Sequence, residues 1–285
     1  MASNWLITGT STGLGRLMVE RLLARGDRVA ATLRRPGALD DLKARHGEAL
    51  QVLTLDLTDA GQITAVVDEA FARLGRIDVA VSNAGYGLFG AGEEVSDEQI
   101  ERQLATNLAG CIHFVRALLP RLRAQGGGRI VQVSSEGGQI AYPNFSVYHA
   151  SKWGIEGFVQ SVSQEVAPFN IDFIIAEPGP TGTNFATGLD HAPTMDCYED
   201  TPAGEVRRAV ASGAFVIRGD AGKTVDAMIA AADSGSPPLR LALGSTAYAS
   251  IKAGLEARLR ELQAHKAVTV SVDGSERFCS RSRVP

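Results

Sequence analysis

The first residues leave this chain few ways to fold. An apolar run over residues 4–8 meets Gly9-Thr10-Ser11-Thr12-Gly13-Leu14-Gly15, and an amphipathic pattern over 14–25 then closes at Gly26. A second apolar run follows at 28–32. Strand, glycine-rich turn, helix and strand form a βαβ unit, whose crossover helix returns the chain to a parallel strand. A parallel sheet built this way needs helices on both faces.

The rest of the chain repeats the unit. Strands are predicted at 50–55, 78–82, 129–133, 171–176 and 239–243, and helices at 59–74, 96–125, 146–167, 221–233 and 247–263. Asp59 with Gln62, and Ser96 with Gln99, read as helix starts. Pro120 is expected to perturb the long helix, Gly126–Gly128 to end it, and Pro168 to stop the next. Apolar residues are 45% of 285, enough for one large core and close to the upper size for a single domain. The expected fold is α/β: a Rossmann-type doubly wound parallel β-sheet flanked by helices, one domain over residues 1–263. Residues 181–219 read as a variable substrate loop and 264–285 as a frayed tail.

The glycines after the first strand suit a pyrophosphate. Such an anion approaches backbone N–H groups at a helix N-terminus, where side chains would block it. The spacing is G-x-x-x-G-x-G rather than the G-x-G-x-x-G of the common dinucleotide fingerprint. At the end of the second strand, where an acidic residue would favour NAD, the chain carries Arg34 and Arg35. A guanidinium matches a phosphate, so NADP(H) is the expected cofactor; the alternative is a solvated turn.

A proton-transfer site is expected between Ser134 and Lys152. Tyr148 and Lys152 lie four apart at the start of a helical pattern and so share a face. A fixed ammonium beside a phenol favours the phenolate and lowers its pKa, which suits proton exchange near neutral pH. A serine hydroxyl from the preceding strand end could hold the same substrate oxygen. His149 adjoins Tyr148 but points elsewhere on the helix, so it has no expected catalytic role. Tyr248 and Lys252 repeat the spacing, but Gly235 stands where a serine would be needed, thirteen residues earlier. That pair reads as an ordinary helix pair.

Together these motifs resemble the short-chain dehydrogenase/reductase family, over roughly residues 4–263. The resemblance rests on Thr8-Gly9-x-x-x-Gly13-x-Gly15, Asp56, Asn83-Ala84-Gly85, Asn107, Ser135, Tyr148-x-x-x-Lys152 and Pro178-Gly179-x-x-x-Thr183. It implies hydride transfer between NADP(H) and a carbonyl or alcohol. It makes Tyr148 the general acid or base and a cofactor-binding residue, with Lys152 lowering its pKa and binding the nicotinamide ribose. Ser135, favoured over Ser134 by its spacing, would hold the substrate oxygen, and Asn107 would anchor a water behind Lys152. Asp56 and Leu57 would meet the adenine, and Asn83-Ala84-Gly85 would support the sheet beside the cofactor. Pro178, Gly179, Thr181 and Thr183 would flank the nicotinamide, with Thr183 on its carboxamide. Thr10, Ser11, Thr12 and Leu14 complete the phosphate loop. Tyr86, Gln139, Tyr142 and Phe185 flank the expected site and suggest a hydrophobic substrate. The family's usual assembly implies a homodimer or homotetramer. The alternatives are a catalytically silent NADP-binding sensor, and an epimerase or dehydratase of the extended relatives.

The net charge of −4 gives no reason to expect nucleic acid. Cys111, Cys197 and Cys279 match neither a zinc spacing nor a disulfide framework, so no metal is expected and a reducing compartment is. With no signal peptide or membrane span apparent, the expectation is a cytoplasmic protein.

Overall fold

The computed structural model describes residues 2–213 and 216–274. In chain order the elements begin β1 (Asn4–Ile7), α1 (Gly13–Arg25), β2 (Arg28–Leu33), α2 (Asp40–His46), β3 (Leu50–Thr54), α3 (Ala60–Leu74) and β4 (Val79–Ser82). Next come β5 (Leu88–Phe89), α4 (Asp97–Leu104), α5 (Cys111–Ala124), β6 (Gly128–Val133) and α6 (Ser146–Val166). The chain continues through β7 (Ile171–Pro178), β8 (Asp190–His191), α7 (Pro202–Ala211), α8 (Ala221–Asp233), β9 (Arg240–Leu243), α9 (Ser245–Ala264) and α10 (Lys266–Ser271).

Seven strands form one parallel sheet in the order β3-β2-β1-β4-β6-β7-β9. Alternate residues of a strand face opposite sides, so each strand feeds two cores. From β1, Leu6 joins the layer under α3, α5 and α6, while Trp5 and Ile7 join the layer under α1 and α8. The order reverses at β1: the chain leaves β1 toward β2 on one side, and β4 pairs on the other. In such sheets the crevice at this reversal, beyond the carboxyl ends of the strands, is where ligands bind. Among the described residues no helix is long and apolar enough to cross a membrane.

The doubly wound sheet is as expected, and Asp59 and Ser96 cap α3 and α4, with a full capping box at Ser96 and Gln99. Three expectations need correction. The long helix does not break at Pro120, which lies inside α5. It breaks at Ala105–Gly110, one π-helical stretch between α4 and α5. There the Gly110 backbone presses on the loop after β3, and a Cβ at 110 would come within 2.8 Å of Leu57 Cβ. Second, residues 181–219 are not one irregular loop. They hold β8 and α7, the latter started by Thr201, whose hydroxyl accepts from Ala203 N, with Pro202 in its first turn. Third, the tail begins with α10; its residues 275–285, Cys279 included, lie outside the described residues. Cys111 is buried and Cys197 exposed, both as free thiols.

Candidate active site

The crevice floor is the loop after β1. Gly9 has φ +70° and Gly13 φ +58°, backbone angles that favour glycine. A Cβ on Gly9 would sit 2.6 Å from Ala84 Cα, and one on Gly15 would sit 2.6 Å from Asn83 Nδ2. The segment after β4 therefore clasps the loop from behind. Asn83 Nδ2 donates to the carbonyls of Thr8 and Gly9, and the Thr8 hydroxyl accepts from the amides of Asn83 and Ala84. Thr10 is buried and donates to Thr32 O at 3.0 Å, while Ser11 and Thr12 are exposed. No side chain caps the N-terminus of α1, and its first turn holds no acidic residue. Its amides thus present a positive end to the crevice. Gly13 faces Thr183 across a gap of 3.7 Å measured from a would-be Cβ.

Arg34 and Arg35 are exposed just past β2, and neither joins a hydrogen bond or ion pair among the described residues. Asp56 lies nearby. The Thr58 amide and hydroxyl, at 2.9 and 2.8 Å, both bond its Oδ1, and they hold its carboxyl below the usual range, with Arg34 adding to the effect.

The polar centre lies between β6 and α6. Tyr148 and Lys152 are both buried, and Lys152 Nζ donates to Val133 O, at the end of β6, at 3.0 Å. The same ammonium is 5.7 Å from the centroid of the Tyr148 ring. The serine pair divides. Ser134 Oγ donates to the buried Glu156 at 2.5 Å, whereas Ser135 Oγ accepts from Gly137 N at 3.1 Å and keeps its own hydrogen to donate.

Asn107 sits in the π-helical stretch, buried, and its amide is engaged at both ends by one residue. Oδ1 accepts from Tyr86 N at 3.1 Å and Nδ2 donates to Tyr86 O at 2.8 Å. Gln103 donates to the same carbonyl. Asn107 therefore clamps the Asn83–Tyr86 segment that in turn clasps the glycine loop. π-Bulges of this kind cluster at functional sites.

Aromatic rings wall the crevice. Phe185 lies 5.7 Å and Phe145 6.0 Å from the Tyr148 ring, and Tyr142 lies 5.5 Å from Phe145. Burial pushes the Tyr142 phenol up. The Tyr86 hydroxyl is buried without a hydrogen-bond partner; burial raises its pKa, and the nearby Arg102 guanidinium opposes that rise. Gln139 is engaged instead with the buried Glu177, to which it donates at 2.7 Å. Glu177 and Glu156 share Arg240, so Gln139 belongs to a network behind the Ser134–Ser135 turn. Of the Pro178–Thr183 segment, Gly179 bonds Leu243 O, Thr181 Oγ1 bonds Gly179 O, and Thr183 Oγ1 accepts from Phe185 N.

Two features escaped the sequence reading. The loop bearing Phe185 is fastened by parallel pairing of β8 with β5, by the Arg102–Asp190 ion pair, and by Gln99 bonding Asp190. Gly87 makes room for it: a Cβ there would meet Phe185 Cζ at 2.8 Å. Beyond it, buried Glu94 accepts from Ala91 N, Met195 N and Arg207, which fastens α7. The Thr201-Pro202 pair was a legible signal for α7, whereas two-residue strands leave almost none.

A family model described as short chain dehydrogenase matches residues 3–193. Oxidoreductase BOA17 of Botryotinia fuckeliana is 36% identical over 252 residues, covering 87% of this chain and 90% of that protein. A crystal structure of a short-chain dehydrogenase from Streptomyces avermitilis superposes with a TM-score of 0.88 at 37% identity, covering 95% of this chain and 98% of that one. A short chain dehydrogenase from Burkholderia cenocepacia, solved in complex with NADP, has a TM-score of 0.71 at 25% identity, covering 93% and 97%.

Proposed function

The chain belongs to the short-chain dehydrogenase/reductase family of oxidoreductases, and on that premise we propose that it moves a hydride between NADP(H) and a carbonyl or alcohol carbon. The observation that carries this reading is the Lys152–Val133 bond, which fixes an ammonium beside a buried tyrosine one strand end away from Ser135. The crevice residues fit a nicotinamide dinucleotide. The α1 N-terminus has no side-chain cap, and the loop before it cannot carry side chains at Gly9 or Gly15. The solved relative from Burkholderia cenocepacia binds NADP.

Gly9 to Gly15 would hold the pyrophosphate, Asp56 and Leu57 the adenine, and Lys152, Pro178, Gly179, Thr181 and Thr183 the nicotinamide end. Arg34, exposed and without an ion-pair partner among the described residues, would take the 2′-phosphate. When bound, the cofactor supplies or accepts the hydride. The chain's own groups handle the oxygen and the proton. Ser135 Oγ donates its free hydrogen to the substrate oxygen. The Tyr148 hydroxyl gives that oxygen a proton in reduction and removes one in oxidation. The Lys152 ammonium stabilises negative charge on the phenol oxygen as the proton leaves. Phe145 and Phe185 beside Tyr148 suit an apolar carbonyl compound.

The test is a panel of aldehydes, ketones and alcohols scored by nicotinamide absorbance with NADPH, NADP, NADH and NAD. Turnover of at least one carbonyl compound, faster with NADPH than NADH, is expected. Equal affinity for NADPH and NADH removes the phosphate assignment, and turnover unchanged in Tyr148→Phe removes the mechanism.

A further inference from the structure

His149 follows Tyr148 in the first turns of α6 and is buried, 4% exposed. Its two ring nitrogens meet groups of opposite polarity. Nδ1 lies 2.8 Å from the carbonyl oxygen of Gly137, where it can only donate. Nε2 receives the backbone N–H of Tyr142 at 3.2 Å, where it can only accept. One species satisfies both partners, the neutral ring with its proton on Nδ1. The ring occupies the space a side chain at position 137 would need, since a Cβ there would lie 2.6 Å from Nδ1. Gly137 N in turn donates to Ser135 Oγ at 3.1 Å. A single chain of bonds thus runs from Tyr142 through His149 and Gly137 to Ser135. The ring also stands edge-on to Tyr142 at 4.5 Å and to Tyr148 at 5.9 Å.

We propose that His149 is a positioning residue: in its neutral Nδ1–H form it ties the Ser135 turn to Tyr142 beside Tyr148, and protonation of the ring releases the Tyr142 end of that tie. This rests on the reading of Ser135 and Tyr148 as the proton-transfer site. A charged ring turns an N–H toward the N–H of Tyr142, and the clamp loses that bond. The ionisable groups around the ring are the Tyr142 phenol on the facing loop, Tyr148 and Lys152 on α6, and Glu136 on the Ser135 turn. Lys152 is engaged with Val133 O, and Glu136 makes no hydrogen bond to the ring. Among the described residues no carboxylate therefore holds a proton on Nε2. Burial lowers the His149 pKa, opposed by the bond from Nδ1–H to Gly137 O, so the ring is neutral at neutral pH.

The test is a pH titration of the isotope-labelled full chain by NMR, reading both His149 nitrogens and the amides of Gly137 and Tyr142. At neutral pH, Nδ1 should carry a proton and Nε2 none. On acidification the second proton should arrive with the same midpoint at which the two amides shift, and His149→Asn should remove that midpoint. A proton on Nε2 instead, a charged ring at neutral pH, or amides that ignore the ring's titration would overturn the proposal. With NADPH and para-nitrobenzaldehyde, the acid side of the rate profile should lose this midpoint in His149→Asn. His149→Phe, which keeps the ring shape without its polar atoms, should lower the rate about tenfold or more at unchanged NADPH affinity. An acid limb that His149→Asn leaves unaltered would overturn it too. The failures are distinguishable: full activity in Tyr148→Phe removes the site reading and leaves the NMR result standing.

Discussion

Two helices of this molecule carry a tyrosine four residues before a lysine. In α6, Tyr148 and Lys152 are each 6% exposed, and the lysine reaches the end of β6. In α9, Tyr248 is 65% exposed and Lys252 pairs loosely with Glu256, 3.9 Å away on the same helix. Helical periodicity makes the two pairs equivalent as neighbours. What separates them is the partner element. The α6 pair faces a strand end whose carbonyl holds the ammonium out of water. The α9 pair faces solvent, where an exposed ammonium acts weakly on its neighbour. Spacing nominates a pair, and burial against a fixed acceptor sets the α6 pair apart.

The comparison breaks first at Tyr148. Tyr148→Phe should lower carbonyl reduction about a hundredfold to ten-thousandfold, the range for a lost general acid, as read by steady-state NADPH oxidation. Lys152→Met comes next, since it removes both the charge and the donor to Val133 O. It should cost about a hundredfold in rate and, by removing one of the two side-chain donors to Val133 O, about 0.5–1.5 kcal/mol in stability on urea unfolding. A smaller effect is expected at Arg34. Arg34→Ala should narrow the NADPH-to-NADH affinity ratio about tenfold in fluorescence titrations, consistent with loss of one charge-assisted bond.

A pH effect follows from His149, whose folded pKa lies below its ordinary value of 6.5. The unfolded chain then binds the proton more readily, so this contribution to stability is complete above about pH 6.5 and is lost as the pH falls toward the folded value. Urea midpoints for wild type and His149→Asn should therefore differ more at pH 7.5 than at pH 5.5. Tyr248→Phe should do least. Its rate should match wild type and its stability should stay within about 0.5 kcal/mol, and a large loss of rate there would mean that α9 holds the working pair.

The sheet was legible in the sequence because each strand alternates with a helix of matching period, and the glycine loop because its position between the two is a local signal. That Tyr148 and Lys152 share a helix face close to the end of β6 and the Ser135 turn was legible through their spacing. The remainder depends on contacts between distant segments. The π-helical stretch at Ala105–Gly110 answers to Leu57, more than forty residues away, so Pro120 drew attention that belonged to Gly110. Gln139 looked substrate-facing from its place after the serine turn, yet its amide is taken by Glu177 on β7. The helix period sets His149 on another face from Tyr148, yet the two rings stand 5.9 Å apart. The partners of His149 lie on the loop before α6, which no periodicity describes.

The most direct test measures binding and turnover in one sample of Tyr148→Phe. NADPH should bind with the affinity of the wild type, because the residues placed on the phosphates and adenine are untouched. In stopped-flow mixing with a carbonyl compound that the wild type reduces, the nicotinamide absorbance of that sample should stay nearly flat. Normal binding followed by reduction at the wild-type rate would contradict the assignment of the proton to Tyr148.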